Sequence, residues 1–344
     1  MARWASMEDE VQQSSVFLQL GWIPYWNLLP FGSELNRLNH DRLNIKSGMP
    51  TEVNQWLDKG EVTLAPCSSI CLISKPGIEM ALPLGVVADG PVMSVYLGFH
   101  KEHVELLEAL RERRFHLQEL CQKARMQFGY DSRSIARFLI QESQKLSHFP
   151  LSLIPGLKTT EKSASSATLA KILFHLWFGP KAYRLMVDCD VSQSVYTKRP
   201  MELLIGDEAL QKKKQFHSIL DLGTIWKEMT NLPFVFAVWQ SKGACLNGWR
   251  RKILEVGRVA ENRMHVDPCA YLPERAPLDE MGNKIPLKEY WQNIYYQLGP
   301  RELKGLLIFL CLARALKLVP QVDENIAKIL RWQDLSRKDS LPVI

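Results

Sequence analysis

The chain is poor in the features that identify many proteins at sight. Seven cysteines at 67, 71, 121, 189, 245, 269 and 311 are spread over 344 residues, an odd count with no Cys-x-x-Cys pair. That excludes a zinc-ribbon pattern and argues against a secreted disulfide framework. Charge of neither sign dominates: 43 Lys and Arg face 37 Asp and Glu, a net of +6. A nucleic-acid binder would concentrate its basic residues in a stripe. Here the densest runs, Arg111 to Arg114 and Lys212 to Lys214, sit in helical patterns and read as solvated faces. The longest apolar run, Gly305 to Ala313, is too short to span a bilayer and reads as a buried helix. Glu8, Asp9 and Glu10 stand where a signal peptide needs apolar residues, so a cytoplasmic location is expected. Glycine-rich phosphate loops, Gly-x-Ser-x-Gly elbows and His-Glu-x-x-His helices are all absent. The eight histidines are scattered, and His100 and His103 read as surface groups at a helix start.

What is present is an ordinary soluble-enzyme composition, 46% hydrophobic and 9% aromatic, enough apolar surface for a core of two domains. Short apolar runs bounded by turn residues predict strands near 16–21, 62–65, 81–87, 92–99, 203–205, 217–220 and 234–239. Helical spacing predicts helices at 28–38, 50–60, 169–177, 207–214, 248–263, 286–297 and 300–317. Pro50 and Gly60 bracket the second of these as start and stop. A longer helical region, 101–146, divides at Gly129-Tyr130-Asp131 into an amphipathic hairpin. This alternation predicts an α/β fold with mostly parallel pairing and two lobes around a central cleft. The expected division is 14–98 with 238–335 for the first lobe and 99–237 for the second.

One local shape recurs: a strand ends, small hydroxyl or amide residues follow, and a helix begins. It occurs at Pro24-Tyr-Trp-Asn27, Ala65-Pro-Cys-Ser-Ser69, Ser163-Ala-Ser-Ser166 and Ile205-Gly-Asp207. Unpaired N–H groups at a helix start, with hydroxyls beside them, bind carboxylates without an arginine for each. Each site alone is also a plain N-cap; four together point to an anion-binding cleft.

These residues carry a resemblance. Gly21-Trp-Ile-Pro-Tyr-Trp-Asn-Leu-Leu-Pro-Phe31 is similar to the opening motif of the chorismate dehydratases of the futalosine route to menaquinone. Ala65 to Ile70, Asp89 to Val95, Leu203 to Leu210 and, most fully, Asp221 to Trp239 resemble further motifs of that family. The resemblance covers about 16–99 and 157–240. It implies a periplasmic-binding-protein type II fold. It also implies removal of water from the chorismate dianion to give 3-(1-carboxyvinyloxy)benzoate, a carbon–oxygen lyase reaction without metal or organic cofactor. Neither nucleic acid nor membrane is expected as a partner, and the oligomeric state stays open. The family's Ser-x-Thr-Ser helix start becomes Ser163-Ala164-Ser165-Ser166, which keeps the hydroxyls. The stretch from about 101 to 155 replaces a short connection in the family and reads as a helical insert, alongside a helical C-terminal segment.

By the same resemblance Asn27 orients the substrate and contacts the leaving hydroxyl, while the substrate's enolpyruvyl carboxylate takes the proton. Ser68, Ser69, Ser94, Ser165 and Ser166 are expected to bind carboxylate or hydroxyl oxygens, with Tyr25, Gly206 and Asp207 beside them. Asp207 reads equally as a cap or a base. Tyr25, Trp26 and Phe31 either shape the pocket or pack beneath it; Trp226, Phe234, Phe236 and Trp239 read as core or hinge. A solute receptor of the same fold, or an inactive paralogue, remains the competing class.

Overall fold

A computed structural model of the chain describes residues 17–38, 41–145, 155–159, 163–188, 200–243, 246, 248–319 and 329, the side chains of 181–188 excepted. Val16, His40, His148, Cys189, Cys245 and most of the expected final stretch to 335 lie outside the described residues.

The first half-sheet is built from β1 (Leu18–Trp22), β2 (Leu43–Ser47), β3 (Ala65–Ser68) and β4 (Ile78–Ala88), with α1 (Leu29–Arg37), α2 (Pro50–Lys59) and α3 (Cys71–Ser74) between them. The chain then crosses to β5 (Val95–Phe99), the long helices α4 (Val104–Phe128) and α5 (Ser132–Lys145), β6 (Leu157–Lys158), α6 (Ala164–Asp188), β7 (Met201–Ile205), α7 (Asp207–Lys212), β8 (Ser218–Asp221) and α8 (Leu222–Thr230). It returns along β9 (Phe234–Lys242) and ends in α9 (Trp249–Val266), α10 (Leu287–Gln292), β10 (Tyr295–Gln297) and α11 (Pro300–Ala315).

Two sheets result. One runs β10-β4-β9-β3, and a parallel bridge between Leu20 and Leu64 joins it to the parallel pair β1-β2. The other runs β6-β7-β5-β8. Pairing is mostly antiparallel, which corrects the expectation: only β1/β2 and β6/β7 are parallel among the strand pairs described. The reason is β4 and β9, the two longest strands. One carries the chain out of the first sheet and the other brings it back, so they run in opposite directions. Alternation of strands and helices along a sequence does not encode that. Their approach is close at Gly85, where an added Cβ would lie 2.4 Å from the Ala237 carbonyl oxygen.

Local signals explain the elements that frame the cleft. Helix α2 starts at Pro50, its Glu52 carboxylate accepts the Met49 N–H at 2.7 Å, and it buries Val53 and Leu57. Helix α8 is capped by Asp221, whose carboxylate accepts from Thr224 N at 3.0 Å, and it stops at Asn231 in the left-handed region. The expected helix over 286–297 is shorter: it ends at Gln292, and the β-favouring pair Tyr295-Tyr296 forms a strand on β4. His103 is buried, and its Nδ1 accepts the His100 N–H at 3.1 Å, so it caps the helix start and is not a surface group.

Helices α4 and α5 form the expected hairpin, with Leu106, Leu110, Leu117 and Leu120 buried on one and Ile135, Ala136 and Leu139 on the other. Helix α5 packs on both α6 and α11, so the hairpin is part of the core. Helix α11 is buried from Leu306 to Ala313. Among the described residues no helix is long and apolar enough to cross a membrane.

Candidate functional site

A cavity opens between the two sheets. Ile23, Tyr25, Asn27 and Leu28 line it from the loop after β1, and Pro66 and Ser68 from β3. Across from them stand Ser94, Ser163, Ser166, Ile205 and Gly206, with Phe236 and Ala237 of β9 forming the back. It lies at strand ends and helix starts, where α/β folds place ligands.

Two polar atoms in its wall are buried without a hydrogen-bond partner, the Tyr25 hydroxyl and Asn27 Oδ1. An unmet buried polar group costs about 1–3 kcal/mol, so such a pair in a cavity marks a place for a ligand. Burial, then the charges of Asp207 and Glu208, push the Tyr25 phenol up to about 12, so it stays protonated and donates. Its ring lies against Gly206, which adopts φ +64°; a Cβ there would meet the ring at 3.0 Å.

The wall is braced from behind. Tyr290 is fully buried and its hydroxyl donates to Ser94 Oγ at 3.0 Å. The Tyr296 hydroxyl donates to the Asn27 carbonyl at 2.8 Å, and the Trp291 indole N–H to the Trp26 carbonyl at 2.8 Å. Asp221 accepts the Val92 N–H at 3.1 Å and the Met93 N–H at 2.8 Å, fixing the turn that presents Ser94. Burial raises the Asp221 carboxyl while these N–H groups oppose the rise. Sequence reasoning missed Ser163 as a lining residue and these bracing residues altogether. The available signal was the aromatic cluster Tyr290-Trp-Gln-Asn-Ile-Tyr-Tyr296, whose polar tips need partners when buried.

Of the expected residues, the structure brings Tyr25, Asn27, Ser68, Ser94, Ser166 and Gly206 to the cavity. Ser69, Ser165 and Asp207 are not among the residues that line it. Ser69 and Ser165 are completely buried behind the wall. Ile70 N–H donates to Ser165 Oγ at 3.2 Å, the two hydroxyls are 3.0 Å apart, and Ser69 Oγ donates to the Val235 carbonyl at 2.7 Å. Ser69 gives its one proton to Val235, so Ser165 donates to Ser69 and the chain is closed. Asp207 lines a neighbouring cleft with Trp22, Trp26 and Asn36, where its Oδ1 accepts the Trp26 N–H at 3.1 Å. Burial raises its carboxyl to about 6. Trp26 lines that same cleft, Phe31 is core, and Phe236 is the one member of the expected core set that reaches the cavity.

Among the described residues no Lys, Arg, His, Asp or Glu lines the cavity. Nor is any group of three His, Cys, Asp or Glu among them arranged to hold a metal ion.

Comparison with solved structures shows the fold. The chain is similar to the periplasmic aliphatic sulphonate binding protein SsuA from Escherichia coli, at 11% identity and a TM-score of 0.50, over 94% of this chain and 99% of that one. A Candida albicans gene product, described as defining a new family with the generic periplasmic binding protein fold, matches at 11% identity and a TM-score of 0.44, over 92% and 94%. An Archaeoglobus fulgidus protein matches at 11% identity and 0.47, over 89% and 100%. The likeness to the sulphonate binding protein shows a periplasmic-binding-protein fold.

A family profile described as menaquinone biosynthesis matches residues 18–117 and 146–315. The match passes over 118–145, the second half of α4 with α5. The rest of the match takes in both sheets and every described residue that lines the cavity, and the chain belongs to this menaquinone-biosynthesis family.

Proposed function

We propose that the protein is a chorismate dehydratase, removing water from chorismate to give 3-(1-carboxyvinyloxy)benzoate. The observation that carries the reading is the make-up of the cavity wall: hydroxyls, one carboxamide and apolar surface, with no ionised side chain among the described residues. Such a wall binds oxygens of a dianion by hydrogen bonds, and its described residues supply neither an ionised base nor a counter-ion.

As the resemblance to the chorismate dehydratases implies, the proton acceptor in this reading is a group on the substrate. The enolpyruvyl carboxylate takes the proton from C3 as that C–H bond breaks. Its electrons enter the ring, the C4–O bond breaks, and the hydroxyl leaves with the proton as water. The ring becomes aromatic, which drives the step. Holding the carboxylate over C3 supplies much of the acceleration, because the base and the acid are parts of one bound molecule. Tyr25, held protonated, donates to a substrate oxygen, and the hydroxyls of Ser68, Ser94 and Ser166 bind the remaining ones. Asn27 holds the C4 hydroxyl. Apolar Val92, Ile205 and Phe236 keep water away and strengthen each contact.

The test is to incubate the protein with chorismate and identify the products by mass spectrometry. Turnover to the aromatic enol ether supports the reading. Chorismate recovered unchanged, bound or unbound, overturns it and leaves an anion-binding protein of the same fold.

A further inference from the structure

We propose that Gln240 is a positioning residue that aims the Ser68 hydroxyl into the cavity by gripping the end of β3 from within the core. The placement of Ser68 rests on the free structure alone; its consequence for turnover rests on the reading above.

Strand β9 is apolar from Phe234 to Trp239 and then puts a carboxamide into the core, where Gln240 is completely buried. Its Nε2 donates to the Cys67 carbonyl at 3.0 Å and to the Ser68 carbonyl at 2.9 Å. Carbonyls only accept, so the amide end that faces them is the donating one, and both of its protons are used there. Cys67 and Ser68 are the last two residues of β3. Along a regular strand successive carbonyls point to opposite sides, so one nitrogen serves both only where the strand turns. The other groups of the turn are held as well. The Ser68 N–H donates to Asn54 Oδ1 at 3.4 Å and the Ser69 N–H to the Phe236 carbonyl at 3.1 Å. Ser69 Oγ donates to the Val235 carbonyl at 2.7 Å. Both backbone polar groups of Ser68 are thus engaged, and its side chain lines the cavity.

A second observation separates Gln240 from ordinary core packing. Its Oε1 is buried without a hydrogen-bond partner. An unmet buried acceptor lowers stability, and an apolar side chain of the same length would fill the space without one. The grip on β3 is what the donating half of the amide supplies. Gln240 is not among the residues that line the cavity, so it reaches a ligand only through Ser68. The grip decides which of two adjacent hydroxyls meets the ligand: Ser68 faces the cavity, and Ser69 is turned into the core.

The test uses the full chain in two arms. The first needs no ligand: crystal structures of wild type and Gln240→Met, which keeps the length and removes both donors, are compared at Ser68. The proposal predicts that Ser68 Oγ moves by about 1 Å or more, or divides between two positions, while Ser94 and Ser166 keep theirs. An unmoved Ser68 overturns it. The second arm is turnover of chorismate. Gln240→Met should lose about tenfold in kcat/KM, as for one net hydrogen bond to the ligand. In a Ser68→Ala background the same change should cost no more than about twofold, because the two residues act as one unit. A full tenfold loss in that background, or a native kcat/KM for Gln240→Met alone, contradicts the proposal. Should Gln240→Met not fold, Gln240→Glu replaces it. Burial raises such a carboxyl, which donates to one carbonyl while protonated and repels both once ionised. Its kcat/KM relative to wild type should then fall at least about tenfold from pH 6 to pH 9, with circular dichroism unchanged; a ratio independent of pH refutes the grip. A wild type inert toward chorismate defeats the proposed reaction only, and the first arm still decides what places Ser68.

Discussion

Replacing Asp207 by Asn probes the contact that joins the start of α7 to the loop after β1. Burial raises the carboxyl from its usual 3.8 to about 6, with the Trp26 N–H pulling the other way. The folded chain thus resists ionising this group. Its contribution to stability is fully present below the unfolded value and is lost as pH rises through about 6. A shift of about two units, at about 1.36 kcal/mol each, makes the ionised carboxylate a penalty of about 3 kcal/mol at pH 8. At pH 4.5 linkage leaves about 1 kcal/mol. The carboxamide of the Asp207→Asn variant has nearly the same shape and still accepts from Trp26 N, but it never ionises. For 344 residues the unfolding entropy is about 0.7 kcal/mol per degree. The substitution should therefore raise the melting temperature by about 4 °C at pH 8 and by about 1 °C at pH 4.5. Melts of both proteins across this range give the difference directly, since all other titrating groups cancel. A difference independent of pH, or one that grows toward acid, would refute the reasoning.

Other expectations follow from the same geometry. Asn27→Ala removes an unpartnered acceptor and should lose about 10² or more in kcat while melting near the wild type; a native kcat takes the residue out of the site. Ser165→Ala breaks a closed hydrogen-bond chain behind the wall, so it should cost about 1–3 kcal/mol of stability and leave KM near native; lost affinity with unchanged stability contradicts this. Gly206→Ala places a Cβ 3.0 Å from the Tyr25 ring at a positive φ, and chorismate KM should rise at least about tenfold with the fold intact as judged by circular dichroism. Leu139→Ala, in α5, should cost about 2–5 kcal/mol in a denaturant titration, because that side chain is fully buried.

Much of this was legible in the chain because local chemistry decides it. Pro50 and Gly60 bracket a helix, Gly129-Tyr130-Asp131 divides another pair, and small hydroxyl residues at strand ends and helix starts put Ser68 and Ser166 in the cavity, while Ser94 came from the family resemblance. What was not legible depends on direction and depth. Strand direction in β4 and β9 is set by the path of the chain between the sheets. Ser69 follows Ser68, yet one faces the cavity and the other faces the core, and Ser165 and Ser166 divide the same way. Neighbours in a turn have identical sequence signals and opposite surroundings. Trp291 lies 265 residues from the loop it holds, with Tyr290 and Tyr296 beside it, a pairing that only the folded chain reveals. Asp207 sits at the right helix start, but its carboxylate turns to Trp26 and the adjoining cleft.

The central claim is that this cavity strips a proton from C3 and a hydroxyl from C4 of the same bound molecule. Chorismate carrying deuterium at C3, mixed with the protein in excess and followed to completion by mass spectrometry, tests it most directly. The account predicts complete conversion to 3-(1-carboxyvinyloxy)benzoate that has lost one water and its deuterium. Label retained in the product, or chorismate recovered intact, would contradict it.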